Sequence, residues 1–530
     1  MTKLLHHLLD EAATRSPDGV AVRCEGASLS WEDLAVRAWG LAGILLDRGV
    51  RPRDRVAVFV DKGLRVPVAF YGTMAAGATL VPIDPRSPAG QVSRILRDTG
   101  ATLLVTEPGK RRTVIEALAD CPEVAQVIGI DPGDDLGRAA TPWKSVDAEQ
   151  RDSLPSVRLI ERDPCYILHT SGSTGLPKLI LHTHFSATSF VDWAVSEYGI
   201  KPDDRLSNHS SHHTCFATFD FYAAAAARAS TVILTPSEMM MPGSLSELLE
   251  RERVTIWYSV PTALVQLSLR GGLDYRDLTA LRWVLFAGEV FPGKHLQRIM
   301  RQIPAARFSH VYGSTEVNVC TYYHLPPVAE LRGALPIGRP CSTSSVMVVD
   351  DAGAEVPPGT AGELLVRGST VMSGYWGDPE RNTAILVQRP AAGGLTETYF
   401  RTGDRVREHD DRNLAFVARA DRQVKVRGYR VELEEVESVL LSLPDVEEAA
   451  AFTVEDGEGS LAIRAAVVGG GTQDDPAGRR ILDDLSSLLP PQALPERIYR
   501  VPSMPRTPTG KIDGKALKKQ LTEAEDRHGR

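Results

Sequence analysis

The amino-acid sequence predicts an α/β protein with a large N-terminal body of α/β subdomains, a β-rich subdomain closing that body, and a small α+β C-terminal domain. Three observations carry this. The chain has 530 residues, and single cores stop growing near ~250–300 residues. Between residues 20 and 160 short β-branched runs alternate with helical stretches, the pattern of parallel strands joined by crossover helices. From about 338 to 407 the strand-like runs become shorter and punctuated by Gly and Pro, and a new unit starts near Arg419.

Taken in order, residues 1–22 place His6, His7, Asp10 and Glu11 inside a leucine pattern. They read as an amphipathic helix and lack the basic-then-apolar order of a secretory signal. Residues 55–60 and 103–106 read as strands and 31–48 as a helix. Residues 131–155, rich in Asp, Gly and Pro, read as a loop before a strand at 165–169. Later strand-like runs, among them 232–234 and 255–260, end in Thr235-Pro236, Pro261-Thr262, Ala287-Gly288 and Tyr312-Gly313. Ligands of α/β sheets bind at the carboxyl ends of strands, so these loops should converge on one edge. Residues 431–443 read as a helix leading into the C-terminal tail, with loops at 469–472 and Pro490-Pro491 and no internal repeat.

Composition excludes several classes. The chain is 43% hydrophobic and 24% charged, without an apolar run long enough to cross a bilayer, which predicts a soluble, cytoplasmic protein with no membrane role. Its net charge is −8 and its basic residues are scattered, which argues against nucleic-acid binding. The six cysteines form no C-x-x-C pair, so they read as reduced thiols and not as a disulfide framework or a zinc site.

The first chemically informative segment is Thr170-Ser171-Gly172-Ser173-Thr174-Gly175-Leu176-Pro177-Lys178, directly after a hydrophobic strand. Glycines let backbone amides approach an anion, hydroxyls add donors and lysine adds charge, so the segment suits a polyphosphate. The Walker spacing is absent, and by itself such a loop is more often a plain connection.

With Tyr166-Ile167-Leu168-His169 before it, this segment resembles the phosphate loop of the adenylate-forming superfamily, which includes nonribosomal peptide synthetase adenylation domains, acyl-CoA synthetases and luciferases. Further motifs follow in order. Tyr312-Gly313-Ser314-Thr315-Glu316 resembles the family's aromatic-Gly-x-Thr-Glu loop, 362–368 its Gly-Glu-Leu motif, and 399–404 its Arg-Thr-Gly-Asp motif. Residues 419–432 resemble the hinge and following strand, and Pro508-Thr509-Gly510-Lys511-Ile512-Asp513 the C-terminal lysine loop.

The resemblance covers nearly the whole chain and implies a division into 1–418 (ATP- and acid-binding body), 419–421 (hinge) and 422–530 (a small mobile domain). It implies ATP and Mg2+ as cofactors and an acid-thiol ligase activity. ATP would meet Thr170, Ser171, Gly172, Ser173, Thr174, Lys178, Gly288, Glu289, Tyr312, Gly313, Thr315, Asp404 and Arg419. Glu316 offers the hard oxygen that magnesium prefers, Tyr312 a flat face for adenine, and Asp404 two acceptors for the ribose diol. His310 departs from the family's Asn two positions before the tyrosine. Lys511 is the expected catalytic residue, an ammonium able to bridge substrate carboxylate and α-phosphate, and Asp421 the expected pivot.

No carrier-domain or condensation-domain signature is present, which predicts a free-standing enzyme serving a separate carrier protein with a phosphopantetheine arm, with coenzyme A as the second choice. Residues 287–296 resemble those of free-standing amino-acid-activating members. In α-amino-acid enzymes an aspartate opens the substrate helix, and here Cys215 or Phe216 occupies that place. A carboxylate instead stands at Asp220, about one turn on. A buried acid in so apolar a stretch needs a cation or donors. The displacement resembles the β-amino-acid-adenylating enzymes of macrolactam polyketide pathways, which implies a β-amino acid. Phe216, Tyr258, Leu285, Val311, Val319 and Cys320 are the other substrate-lining candidates, mostly apolar, which suits a hydrophobic substituent. His212 or His213 is a candidate gate. The alternatives are an α-amino acid such as proline or alanine, or an uncharged acyl or aryl acid.

Overall fold

The computed structural model describes residues 3–170, 178–331, 333–419, 423–443, 446–455, 460–469, 479–506 and 512–528. The chain divides into two compact units, one of Met1–Pro85, Ile95–His169 and Leu179–Ala420, the other of Arg86–Arg94, Thr170–Lys178 and Asp421–Arg530.

Among the described residues the first unit is built on three sheets. One has nine strands, with the central five, Ser230–Ile233, Arg205–Asn208, Ile256–Ser259, Trp283–Phe286 and Arg307–Tyr312, all parallel. A second has eight strands and a parallel centre of Pro164–Thr170, Thr79–Pro82, Arg55–Val58, Leu103–Val105 and Gln126–Ile128. Strands covered on both faces need no polar alternation, and the short runs are buried almost throughout. One apolar core takes residues from both sheets, such as Val56, Leu80, Ile256 and Leu285, and from the helices Trp31–Asp47 and His184–Tyr198. Both helices begin with a reciprocal cap, Ser30 with Asp33 and Thr183 with Ser186. The third sheet is antiparallel and five-stranded, and includes Ala361–Gly368, Thr396–Glu408 and Leu414–Arg419.

The second unit contains the hairpin Gln423–Val426 and Tyr429–Glu432, turned at Arg427 and Gly428 with φ of 50° and 85°. A three-stranded sheet, Val446–Glu455, Leu461–Gly469 and Arg497–Arg500, packs with helix Leu433–Leu441 through Ala449, Ile463, Val436 and Leu440.

Three expectations need correcting. Residues 131–155 are not simply a loop: they hold strand Ala139–Thr141, which extends the eight-stranded sheet, and helix Trp143–Ala148. Burial of Trp143 and Val146, at 4% and 1% exposure, anchors them, and three residues are too few to display a period. The helix expected at 431–443 begins as strand Tyr429–Glu432 and turns helical only at Leu433. The first helix is shorter than the N-terminal pattern suggested, His7–Arg15, and is followed by strand Val20–Cys24.

Candidate functional site

The parallel strands of the nine-stranded sheet all end on one edge, at Asn208, Ile233, Ser259, Phe286 and Tyr312. Tyr258 pairs with Leu285, and Leu285 with Ser309, two residues before Val311, so Tyr258, Leu285 and Val311 share one face of the sheet. The same apolar cluster holds Val319 and Phe219, with Phe216 packed against it. The ring of Phe216 lies 4.4 Å from that of Tyr258, and Phe219 closes edge-on at 5.4 Å. Cys320 is separated from this group: it packs with Val317 and Tyr375, and its Sγ lies 3.6 Å from the Tyr312 carbonyl oxygen.

Asp220 sits in a π-helical turn, Thr218–Ala223, a rare form that is frequent at functional sites. Its carbonyl oxygen accepts from Thr231 Oγ1 at 2.5 Å, and its side chain is 1% exposed. Asn208 Nδ2 donates to Asp220 Oδ2 at 2.9 Å, while Asp220 Oδ1 and Asn208 Oδ1 are both buried without a partner. Burial drives the carboxyl up to about 8, against the lowering effects of Asn208 and the nearby Lys62 cation. Lys62 Nζ donates to the carbonyl oxygens of Asn208 and His209 at 2.7 and 2.8 Å. Sequence reasoning missed Asn208 and Lys62: the strand Arg205–Asn208 reads Arg-Leu-Ser-Asn, with no apolar run against which an amide would stand out.

The two histidines expected as a gate are both buried. His212 lies edge-on to Phe70 with neither ring nitrogen bonded, and burial holds it down to about 3. His213 stacks on His169 at 5.1 Å and approaches Asp84 at 3.7 Å.

A second group forms around Asp404. Asp404 and Arg419 face each other across antiparallel strands, and Arg419 Nη1 contacts Asp404 Oδ1 at 2.7 Å. The Tyr312 hydroxyl donates to Asp404 Oδ2. Burial, reinforced by the adjacent carboxylate, holds that phenol well above its ordinary range, so it stays a donor. Gly313 follows, and a Cβ there would stand 1.7 Å from the Asn318 carbonyl oxygen, so only glycine lets the chain turn here. His310, the departure from the family pattern, bonds through Nδ1 to the Pro336 carbonyl oxygen at 2.8 Å and stacks on Phe286.

Glu316 is fully buried, and its Oε1 accepts from the Tyr375 hydroxyl at 2.7 Å. The preceding Thr315 is held through its carbonyl oxygen, which accepts from His182 Nε2 at 2.8 Å. Burial brings His182 down to about 4, so it is neutral and its other nitrogen accepts from Ser186 Oγ at 3.0 Å. Tyr375 and His182 lie 59 and 133 residues from their partners, beyond the reach of motif reading. Gly288 has φ of 102°, and Glu289 next to it accepts from Thr262 N and Oγ1 at 3.0 and 2.7 Å, so its carboxylate ties two strand-end loops together.

Of the expected phosphate-loop residues, Thr170 carries a buried hydroxyl without a bonded partner, and Lys178, grouped with the second unit, donates to Glu432 of that unit at 2.6 Å. Ser171, Gly172, Ser173, Thr174, Asp421 and Lys511 lie outside the described residues. Among the described residues no three His, Cys, Asp or Glu side chains gather as a metal centre. A buried carboxylate, Glu316, outside any three-ligand cluster of the described residues matches the way Mg2+ is held, through one or two carboxylates plus substrate phosphates.

Comparison with known proteins gives the family context. The model for AMP-binding enzymes matches residues 9–376, and that for the AMP-binding enzyme C-terminal domain matches 435–511. The chain is 32% identical to an L-proline:L-prolyl-carrier-protein ligase of Pseudomonas fluorescens, covering 98% of this chain and 99% of that protein. It is 35% identical to the corresponding ligase of Streptomyces coelicolor over 85% of this chain and 84% of the relative. Among solved structures, the amide bond synthetase McbA of Marinactinospora thermotolerans superposes with a TM-score of 0.86 at 27% identity, covering 98% and 99% of the two chains.

Proposed function

Since this chain belongs to the AMP-binding enzyme family, ligases that use ATP and Mg2+, we propose that it activates an amino acid, specifically a β-amino acid with a hydrophobic substituent, as its adenylate and passes it to the phosphopantetheine thiol of a separate carrier protein. In this reading Asp404, with Arg419 and Tyr312 fixing its two oxygens, accepts from the ribose hydroxyls. Gly313 and Thr315 are assigned to the phosphates, as are, by their chemistry, the hydroxyls of Thr170, Ser171, Ser173 and Thr174 and the Lys178 ammonium. Glu316 would hold Mg2+, which when bound neutralises polyphosphate charge. Lys511 offsets charge as the substrate carboxylate oxygen attacks the α-phosphorus and pyrophosphate departs. A rotation at Asp421 between the two half-reactions would then bring the thiol to the adenylate, releasing AMP.

The observation that carries the amino-acid reading is Asp220, a buried carboxyl with one oxygen unbonded, in an otherwise apolar, aromatic-walled region. An unpaired buried acceptor of this kind is complementary to an ammonium. Its place five residues beyond Cys215 supports an amine set further from the reacting carboxylate. The relatives named for proline support the α-amino alternative. Similarity to McbA favours a second reading of the acceptor, an amine in place of a thiol.

ATP–pyrophosphate exchange across β-amino, α-amino and aryl acids tests the proposal. Exchange is expected to be strongest with β-amino acids and to be lost in Asp220→Asn and Lys511→Ala. Exchange driven by aryl or fatty acids alone would overturn the amino-acid reading. Product analysis with a holo carrier protein or a free amine then identifies the acceptor.

A further inference from the structure

We propose that Asn208 is the second half of an amine clamp, so that the substrate ammonium is held between Asp220 Oδ1 and Asn208 Oδ1 and must carry at least two N–H donors. This deepens, and rests on, the amino-acid reading above. The two oxygens belong to side chains already joined by the 2.9 Å bond from Asn208 Nδ2 to Asp220 Oδ2, each 1% exposed and each left with one unbonded acceptor. Two orphaned acceptors on one hydrogen-bonded pair are unusual, because nearly every buried polar atom in a folded protein finds a partner. An ammonium satisfies both at once, which a neutral acid cannot.

The choice of an amide follows from charge. A second carboxylate would repel Asp220, whereas asparagine donates to it with one end and offers an acceptor with the other. Asn208 is itself fixed from behind, because the Lys62 ammonium takes the carbonyl oxygens of Asn208 and His209. Its strand, Arg205–Asn208, lies between Ser230–Ile233 and Ile256–Ser259, so the amide stands at the sheet edge where Tyr258 and Phe216 meet.

Exchange kinetics with 3-amino-3-phenylpropanoate, with 3-phenylpropanoate as a competitive inhibitor lacking the amine, test the clamp. At pH 7, Asn208→Ala is expected to raise KM for the amine about tenfold or more, as loss of a bond to a charged group implies. The kcat should stay within about twofold and the inhibition constant of 3-phenylpropanoate should not move. The pH at which KM falls should also shift upward, since Asp220 loses its donor. If Asn208 touches the amine itself, its replacement still raises KM in an Asp220→Glu background, where a shifted acid retains weak activity. An unchanged KM, or equal losses for amine and inhibitor, overturns the clamp. Asn208→Ser, with its melting temperature measured, replaces the alanine variant should the latter fail to fold. If no amino acid drives exchange, the amino-acid reading falls and the clamp with it. If amino acids do, and only the Asn208 variants leave KM unmoved, the clamp alone is wrong.

Discussion

Replacing Asp220 by asparagine should stabilise the ligand-free protein, and by more as pH rises. The folded carboxyl is raised by burial from 3.8 to about 8, so over that interval the folded state binds the proton that the unfolded chain has lost. Stability therefore declines from about pH 4 to about pH 8 and is flat above. At about 1.4 kcal/mol per pH unit, the whole interval amounts to about 6 kcal/mol, and the stretch from pH 6 to 8 to about 2 to 3 kcal/mol. An asparagine keeps an acceptor for Asn208 Nδ2 and carries no such penalty. Thermal and urea unfolding of both proteins between pH 5.5 and 9 would measure the gap, which should open with pH and stop growing past about 8. A saturating amino-acid substrate should close it in the wild type at pH 9, because the ammonium compensates the carboxylate. Parallel pH curves for the two proteins would refute the reasoning, since they would mean that Asp220 ionises as an ordinary exposed acid does.

The nucleotide group yields a second prediction. Asp404→Ala should raise KM for ATP about tenfold or more and abolish the preference for ATP over 3′-deoxy-ATP, whereas Tyr312→Phe, which removes one of the bonds on Asp404, should raise KM by a smaller factor of about 5 to 10, both read by exchange. Glu316→Gln should raise the Mg2+ concentration for half-maximal exchange about tenfold while leaving KM for the acid nearly unchanged, and Tyr375→Phe should do so more weakly, through the carboxylate it holds.

How much of this was legible in the sequence depends on distance along the chain. The strand ends were readable because Thr235-Pro236, Pro261-Thr262, Ala287-Gly288 and Tyr312-Gly313 mark where parallel strands stop, and those strands do end on one edge. The meeting of Asp404 with Arg419 follows from a local antiparallel pairing only 15 residues apart. Glu316 and Thr315 could be named from their motif, but Tyr375 and His182, which fix them, come from other elements through tertiary packing. Asp220 could be singled out as a charge among apolar residues, and the structure adds the π turn and the bond from Asn208. Register with the family groups Cys320 with Val319, yet the two neighbouring residues pack into different cores.

A carboxyl raised to about 8 also determines how selectivity varies with pH. Near pH 7 most molecules of the ligand-free protein carry Asp220 protonated, and that form can accommodate an acid with no amine without leaving a buried charge. An ammonium must first draw the proton off, at about 1.4 kcal/mol, and then gains a charge-assisted contact in surroundings of low dielectric, which outweighs that cost. Above pH 8 the balance reverses for the competitor: the carboxylate is already ionised, the amine binds without the proton step, and a neutral substituent must now bury an uncompensated charge. Discrimination between an amino acid and its deaminated analogue should therefore widen about tenfold per pH unit, from pH 7 to pH 8 and again from pH 8 to pH 9, until the substrate's own amine loses its proton. An aspartate on which burial outweighs the lowering effects of Asn208 and Lys62 gives that dependence, whereas a carboxylate kept ionised by a directly paired lysine would discriminate equally across that range.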